Sequence, residues 1–195
     1  MADLHISWED YHRQIERLAA LIHQSGWSFN QIVCLARGGM RVGDILSRLY
    51  RQPLAILAAT SYGGADGQVR GKLRFAEHLT MTTDRLGDCV LLVDDLVDSG
   101  ISLEQAVVWL RQHHGTEIAE VRTAVLWYKA CSAIAPDYYA AYLADNPWIH
   151  QPFERYEHMS PAALCSHSMR SASELTGSGQ VQRRSVIPKS VDAYR

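Results

Sequence analysis

The sequence predicts an α/β fold, an open, mostly parallel and twisted sheet flanked by helices. Three observations carry this. Apolar runs too short for helices, Ile32 to Ala36, Leu54 to Ala59, Cys89 to Val93 and Val121 to Tyr128, alternate with stretches of helical periodicity. Cys89 to Val93 is continuously apolar and flanked by acids, the pattern of a strand buried on both faces of a parallel sheet. With 195 residues, 47% of them hydrophobic and 21% charged, the chain can bury a real core.

In chain order, Ser7 with Asp10 three residues on resembles a capping box, and Tyr11, Ile15, Leu18 and Ile22 follow on one helical face. Gly26 ends that helix in the left-handed position. The strand Ile32 to Ala36 opens directly into Arg37-Gly38-Gly39, a helix runs from about Val42 to Tyr50, and Pro53 precedes the strand Leu54 to Ala59. Ser61 to Lys72 holds Gly63, Gly64, Gly67 and Gly71 and is expected to be a mobile loop, with Leu73 to Thr83 as a returning strand. After Cys89 to Val93, a helix from about Ser102 to His113 stops at Gly115; Val121 to Tyr128 and Asp137 to Leu143 are further strands. The domain is expected to occupy residues 1–160. Residues 161–195, with seven serines, five basic and two acidic side chains and no periodicity, read as a flexible, mildly basic tail.

Nineteen basic against twenty-one acidic residues argue against a protein that holds nucleic acid by bulk electrostatics. No apolar run reaches the roughly 18 residues of a membrane span, and the acidic stretch Met1 to Tyr11 is unlike a signal peptide. Cys34, Cys89, Cys131 and Cys165 form no CxxC pair, so the expectation is a cytoplasmic protein with reduced thiols, no nucleic-acid partner and no membrane partner. His113 and His114 suit a helix C-terminus, and none of the nine histidines shows metal-ligand spacing along the chain.

The most informative segment is Leu91-Leu92-Val93-Asp94-Asp95-Leu96-Val97-Asp98-Ser99-Gly100-Ile101-Ser102. In open parallel sheets ligands bind beyond the carboxyl ends of the strands. Two adjacent carboxylates there are costly unless a cation or hydroxyl groups neutralise them, and a ribose diol and a magnesium ion both qualify. Asp98 to Ser102 forms a turn into a helix, whose backbone N–H groups make a phosphate cradle. Phosphate, sugar and metal thus fit along one strand–loop–helix unit, as a ribose 5-phosphate requires. No GxxxxGK[ST] and no strand-following GxGxxG competes with this reading. Arg37-Gly38-Gly39 alone reads equally well as a plain turn.

The segment resembles the phosphoribosyl diphosphate (PRPP) signature of the type I phosphoribosyltransferases, with Ser99 for the commoner Thr and Ile101 for a frequent Gly. Ala36-Arg37-Gly38-Gly39 resembles that family's pyrophosphate loop, which often contains a cis peptide, and Ser61-Tyr62 resembles the start of its mobile catalytic hood. Lys129 at a strand end, with Trp148-Ile149-His150-Gln151-Pro152-Phe153-Glu154, resembles the base-binding end of the xanthine–guanine and hypoxanthine–guanine members. The resemblance covers about residues 5–157.

It implies the type I phosphoribosyltransferase fold and transfer of the 5-phosphoribosyl group of PRPP to a 6-oxopurine, with Mg2+ as cofactor and a homo-oligomeric state. It assigns PRPP to Arg37, Gly38, Asp94, Asp95, Asp98, Ser99, Gly100, Ile101 and Ser102, with either Arg70 or Lys72 of the closing loop reaching the pyrophosphate. The base goes to Asp98, Lys129, Trp148 and Ile149. Asp95 is the expected metal contact and Asp98 the expected catalytic residue. A non-catalytic PRPP-binding regulator, or a transferase for another base, shares the PRPP signature and stays open at this point.

Overall fold

The computed structural model describes residues 3–62 and 72–165. Among these, the strands are β1 (Leu4–His5), β2 (Gln31–Ala36), β3 (Leu54–Tyr62), β4 (Lys72–Phe75), β5 (Cys89–Val97), β6 (Glu120–Lys129), β7 (Tyr138–Leu143) and β8 (Ile149–His150). The helices are α1 (Trp8–Gln24), α2 (Met40–Tyr50) and α3 (Ile101–His114), and a 3-10 turn covers Glu154–Glu157. The chain divides into two compact units between Pro152 and Phe153. A helical turn covers residues 161–165, within the stretch expected to be an aperiodic tail, and its Leu164 N–H donates to Ser160 O at 3.3 Å. Residues 166–195 lie outside the described residues, as do 63–71 of the expected loop.

Six strands form one sheet in the order β4-β3-β2-β5-β6-β7, parallel throughout except for the antiparallel edge strand β4. From β2 the chain builds outward to β3 and β4, then returns to β5 on the other side. The β2–β5 boundary is therefore the topological switch point, where a crevice opens beyond the strand ends. The loops after β2 and β5 flank it.

Residue alternation fixes the two faces. Val33, Leu35, Val90 and Leu92 join Leu103, Ala106, Trp109 and Leu110 of α3 in one core cluster. Their neighbours in sequence point the other way, so Cys34 meets Gly43 of α2, where a Cβ would lie 2.7 Å from the Cys34 Cβ. On α1, Tyr11, Ile15, Leu18 and Ile22 are all fully buried, and the Tyr11 ring lies 5.7 Å from that of Trp127 on β6. Ser7 caps α1 as expected, accepting from the Asp10 N–H at 3.0 Å.

Several boundaries differ from the sequence expectation. β5 continues four residues beyond Val93, because its pairing with β6 persists through Asp94 opposite Val125 to Val97 opposite Tyr128. Ser61 and Tyr62 belong to β3, paired with Leu73 and Lys72, and not to the loop. The returning strand stops at Phe75 instead of Thr83. The chain turns there, comes back as a single bridge from Thr80 to Ile56, and sends Leu79 and Met81 into the core from irregular backbone. The parallel pair β1–β8, with Leu4 opposite Ile149 and His5 opposite His150, was not expected.

Candidate active site

The first wall of the crevice is the turn after β2. The Ala36–Arg37 peptide is cis. Gly38 lies against the acids of β5: a Cβ there would fall 2.5 Å from Asp95 Oδ1 and 2.9 Å from Asp94 Oδ1. Gly39 lies closer still to backbone, its Cβ position 2.4 Å from Val93 O and 2.9 Å from Leu35 O. No side chain fits at Gly39, and one at Gly38 would have to displace the carboxylates, so glycine lets this turn pass close over both acids.

Those carboxylates form the floor. Asp94 and Asp95 are both partly buried, and Asp94 Oδ1 accepts from the Asp95 backbone N–H at 2.9 Å. Burial, and then the adjacent negative charge of Asp95, raise the Asp94 carboxyl well above the ordinary range. Burial also raises Asp95, opposed by hydrogen bonding to Asp94 and by the charge of Arg41. Such a pair is short of positive charge. Hard carboxylate oxygens in that state fit a magnesium ion or the hydroxyls of a sugar diol, and Asp94 and Asp95 are the residues that would hold either one.

The second wall is the loop from Asp98 into α3. Gly100 takes a left-handed conformation, φ 86°, which turns the chain directly into the helix. The Ala133 N–H donates to Ser99 O at 3.1 Å and ties the loop to the segment after β6. Ile101 and Ser102 open the first turn of α3, and both are exposed. Their N–H groups belong to the unpartnered first turn of the helix and suit a phosphate.

The third element is the end of β6. Lys129, its last residue, is 6% exposed, yet its Nζ lies 3.3 Å from Asp98 Oδ1. The same ammonium lies 6.0 Å from the centre of the Trp148 ring. Trp148 is 64% exposed, which excludes an ordinary core aromatic, whereas Ile149 beside it is buried at 4%. Lys129, Asp98 and Trp148 thus meet from three separate segments. Arg70 lies outside the described residues.

Two further contacts were not anticipated. Gln151, buried at 7% exposure, donates from Nε2 to Asp95 Oδ2 at 2.8 Å and so fixes one carboxylate oxygen. The exposed Cys131 places Sγ 3.5 Å from both the backbone oxygen and Oδ1 of Asp98. Of the four free cysteines only Cys34 is fully buried, and burial pushes its thiol up to about 11. Gln151 lies two residues after Ile149, within the quoted stretch Trp148 to Glu154, and that place was the one available signal. Cys131 carried none.

A family model described as the phosphoribosyl transferase domain matches residues 7–158. The chain belongs to that family. The xanthine-guanine phosphoribosyltransferase of Idiomarina loihiensis is 29% identical over 154 residues, covering 78% of this chain and 88% of the relative. The enzyme of the same name from Gluconobacter oxydans is 27% identical over 150 residues, 76% of this chain and 83% of the relative. Among solved structures, the Helicobacter pylori xanthine-guanine-hypoxanthine phosphoribosyltransferase superposes with a TM-score of 0.65 at 27% identity, over 85% of this chain and all of that one. The mostly parallel sheet with its flanking helices is thus the fold of a phosphoribosyltransferase. No described helix is long and apolar enough to cross a membrane.

Proposed function

We propose that the protein transfers the 5-phosphoribosyl group of PRPP to guanine, hypoxanthine or xanthine, releasing pyrophosphate and forming the nucleoside monophosphate. The observation that carries this reading is Lys129. It is a buried ammonium held beside Asp98 and below an exposed indole. An ammonium only donates, so it suits a 6-oxo group and opposes the donors of a 6-amino purine. The names of the relatives support the same substrate class.

In this reading Ser99, Gly100, Ile101 and Ser102 hold the 5-phosphate, and Arg37 and Gly38 hold the pyrophosphate, joined by Arg70 or Lys72. Asp94 and Asp95 accept from the ribose hydroxyls. Magnesium, when bound, neutralises charge on the pyrophosphate, with Asp95 as its protein contact. The anomeric carbon becomes oxocarbenium-like in such transfers, and the nearby carboxylates stabilise that positive charge. Asp98 takes the proton from the purine imidazole, Lys129 donates to the 6-oxo oxygen, and Trp148 and Ile149 enclose the ring. The reading includes a cytoplasmic, homo-oligomeric enzyme whose domain is residues 1–160.

PRPP-dependent product formation with guanine, xanthine, hypoxanthine, adenine and orotate tests the assignment. Turnover of at least one 6-oxopurine well above adenine is expected. Preference for adenine or orotate overturns the substrate class, and tight PRPP binding without turnover of any base identifies a regulator. Truncation after Ser160 should leave activity and melting temperature nearly unchanged; loss of activity would put the tail in the site or in an oligomer interface.

A further inference from the structure

β1 and β8 bring together three side chains that have no part in the phosphoribosyl reaction. His5 and His150 stand directly opposite each other in the parallel pair. Their rings stack with centroids 4.3 Å apart and planes 9° from parallel. Asp3, two residues before His5, places Oδ2 3.1 Å from His150 Nε2. One donor atom from each of the three lies within 4.8 Å of the others.

We propose that Asp3, His5 and His150 form a binding site for a divalent transition-metal ion of the zinc class, which clamps β1 onto β8. Two imidazoles and one carboxylate are a donor set for zinc and its neighbours, while magnesium prefers oxygen ligands and its own water. Nitrogen donors at about 2.1 Å from a tetrahedral zinc lie about 3.4 Å apart. Ligation would take the two rings out of their parallel stack, by rotation about their side-chain bonds, so that their in-plane lone pairs converge with the Asp3 carboxylate on one point. The backbone needs no movement: Leu4 N–H donates to Trp148 O at 2.8 Å and Ile6 N–H to His150 O at 3.0 Å, which fixes both strands in register. Asp3 and His5 are exposed and His150 partly so, leaving entry for the ion and room for water as a fourth ligand.

A clamp matters here because the pair is so short. Two residues from each strand give little independent stability, yet β8 carries Ile149 and is flanked by Trp148 and Gln151. A metal ion joining β1 to β8 would hold the strand on which those three depend. None of the three ligands is itself assigned to PRPP or the base.

The test uses the full chain without an affinity tag, stripped with a chelator and titrated calorimetrically with Zn2+ and with Co2+. One equivalent should bind, cobalt should show the ligand-field absorption of a nitrogen- and oxygen-ligated ion, and excess Mg2+ should not displace it. His5→Gln and Asp3→Asn should each weaken binding by about tenfold or more, while the exposed His78→Gln should bind as the parent does. Hydrogen exchange at the Leu4 and Ile6 amides should slow when metal is added to the parent and not to His5→Gln. Absence of saturable binding overturns the proposal, and so does binding that survives both His5→Gln and Asp3→Asn. In either case the cluster is a hydrogen-bonded Asp3–His150 pair with His5 stacked upon it. Turnover of purine bases in magnesium is measured separately, so either reading can fail alone.

Discussion

The two loops that flank the crevice both depend on glycine, for different reasons. Gly39, after β2, has φ −70°, a conformation open to any residue, and is glycine because backbone oxygens of Leu35 and Val93 occupy the space of a Cβ. Gly100, after β5, has φ 86°, and its Cβ position falls 2.6 Å from Ile134 Cγ1 and 2.7 Å from Ser132 Oγ, side-chain atoms instead of backbone ones. The first loop is thus fixed by close packing against backbone, and the second by its backbone conformation as well as by packing. Only the second also carries an acid, Asp98, paired with Lys129. In the proposed function the β2 loop shapes the site and the β5 loop supplies its proton chemistry.

The largest expected effect tests that division directly. Asp98→Asn keeps size and part of the hydrogen bonding but removes the carboxylate, and a missing general base typically costs about 100- to 10,000-fold in rate. Single-turnover rates should fall by that order while PRPP affinity changes little, whereas Asp95→Asn should weaken PRPP and magnesium binding together. Near-normal turnover in Asp98→Asn would reduce that carboxylate to a structural partner of Lys129 and collapse the distinction between the loops.

Next in size is Gly39→Ala. Overpacking against backbone that cannot yield costs about 3 kcal/mol, and the melting temperature should fall by roughly 5–10 °C. Gly100→Ala should cost about 1–2 kcal/mol for the left-handed conformation, a fall of roughly 3–6 °C. The comparison sharpens with asparagine, which tolerates positive φ. Gly100→Asn should melt above Gly100→Ala, and Gly39→Asn should melt no higher than Gly39→Ala. The reverse order in calorimetry would mean that space, not conformation, governs Gly100.

The smallest effect has the opposite sign. A carboxyl raised in the folded state adds a cost that is absent below the ordinary carboxylate range and grows as pH rises through the raised value. Asp94→Asn removes that cost. Its melting temperature should exceed the parent's by about 2–4 °C at neutral pH, the gain should vanish near pH 4, and PRPP binding should weaken throughout.

The segment from Leu91 to Ser102 was legible in the sequence because strand, acids, turn and helix start are contiguous, so local pattern alone orders them. The same holds for α1, whose cap and apolar face lie within sixteen residues. The Lys129–Asp98 pair was not: each residue was singled out, but nothing in the spacing joins the end of β6 to the loop after β5. The β1–β8 pair has two residues per strand, too few to show alternation, and joins the two ends of one compact unit. Gln151 to Asp95 and His5 to His150 are invisible in sequence for the same reason. The expected long strand after the Gly-rich loop failed differently. Leu73, Phe75, Leu79 and Met81 alternate as a strand would, but only the first two lie in one. The others pack against the core from irregular backbone on either side of the Thr80 bridge.

The exposure of Trp148 has an optical consequence. The chain holds five tryptophans, and Trp127 and Trp109 are buried at 2% and 8% exposure, while Trp148 stands at 64% above a charged ammonium. Its indole should therefore be the one a water-soluble collisional quencher reaches most readily, ahead of Trp8 at 39% exposure. A purine stacking on that face would shield it and add static quenching of its own. The ligand-free protein thus carries an intrinsic fluorophore at the proposed base position, able to report occupancy without any label.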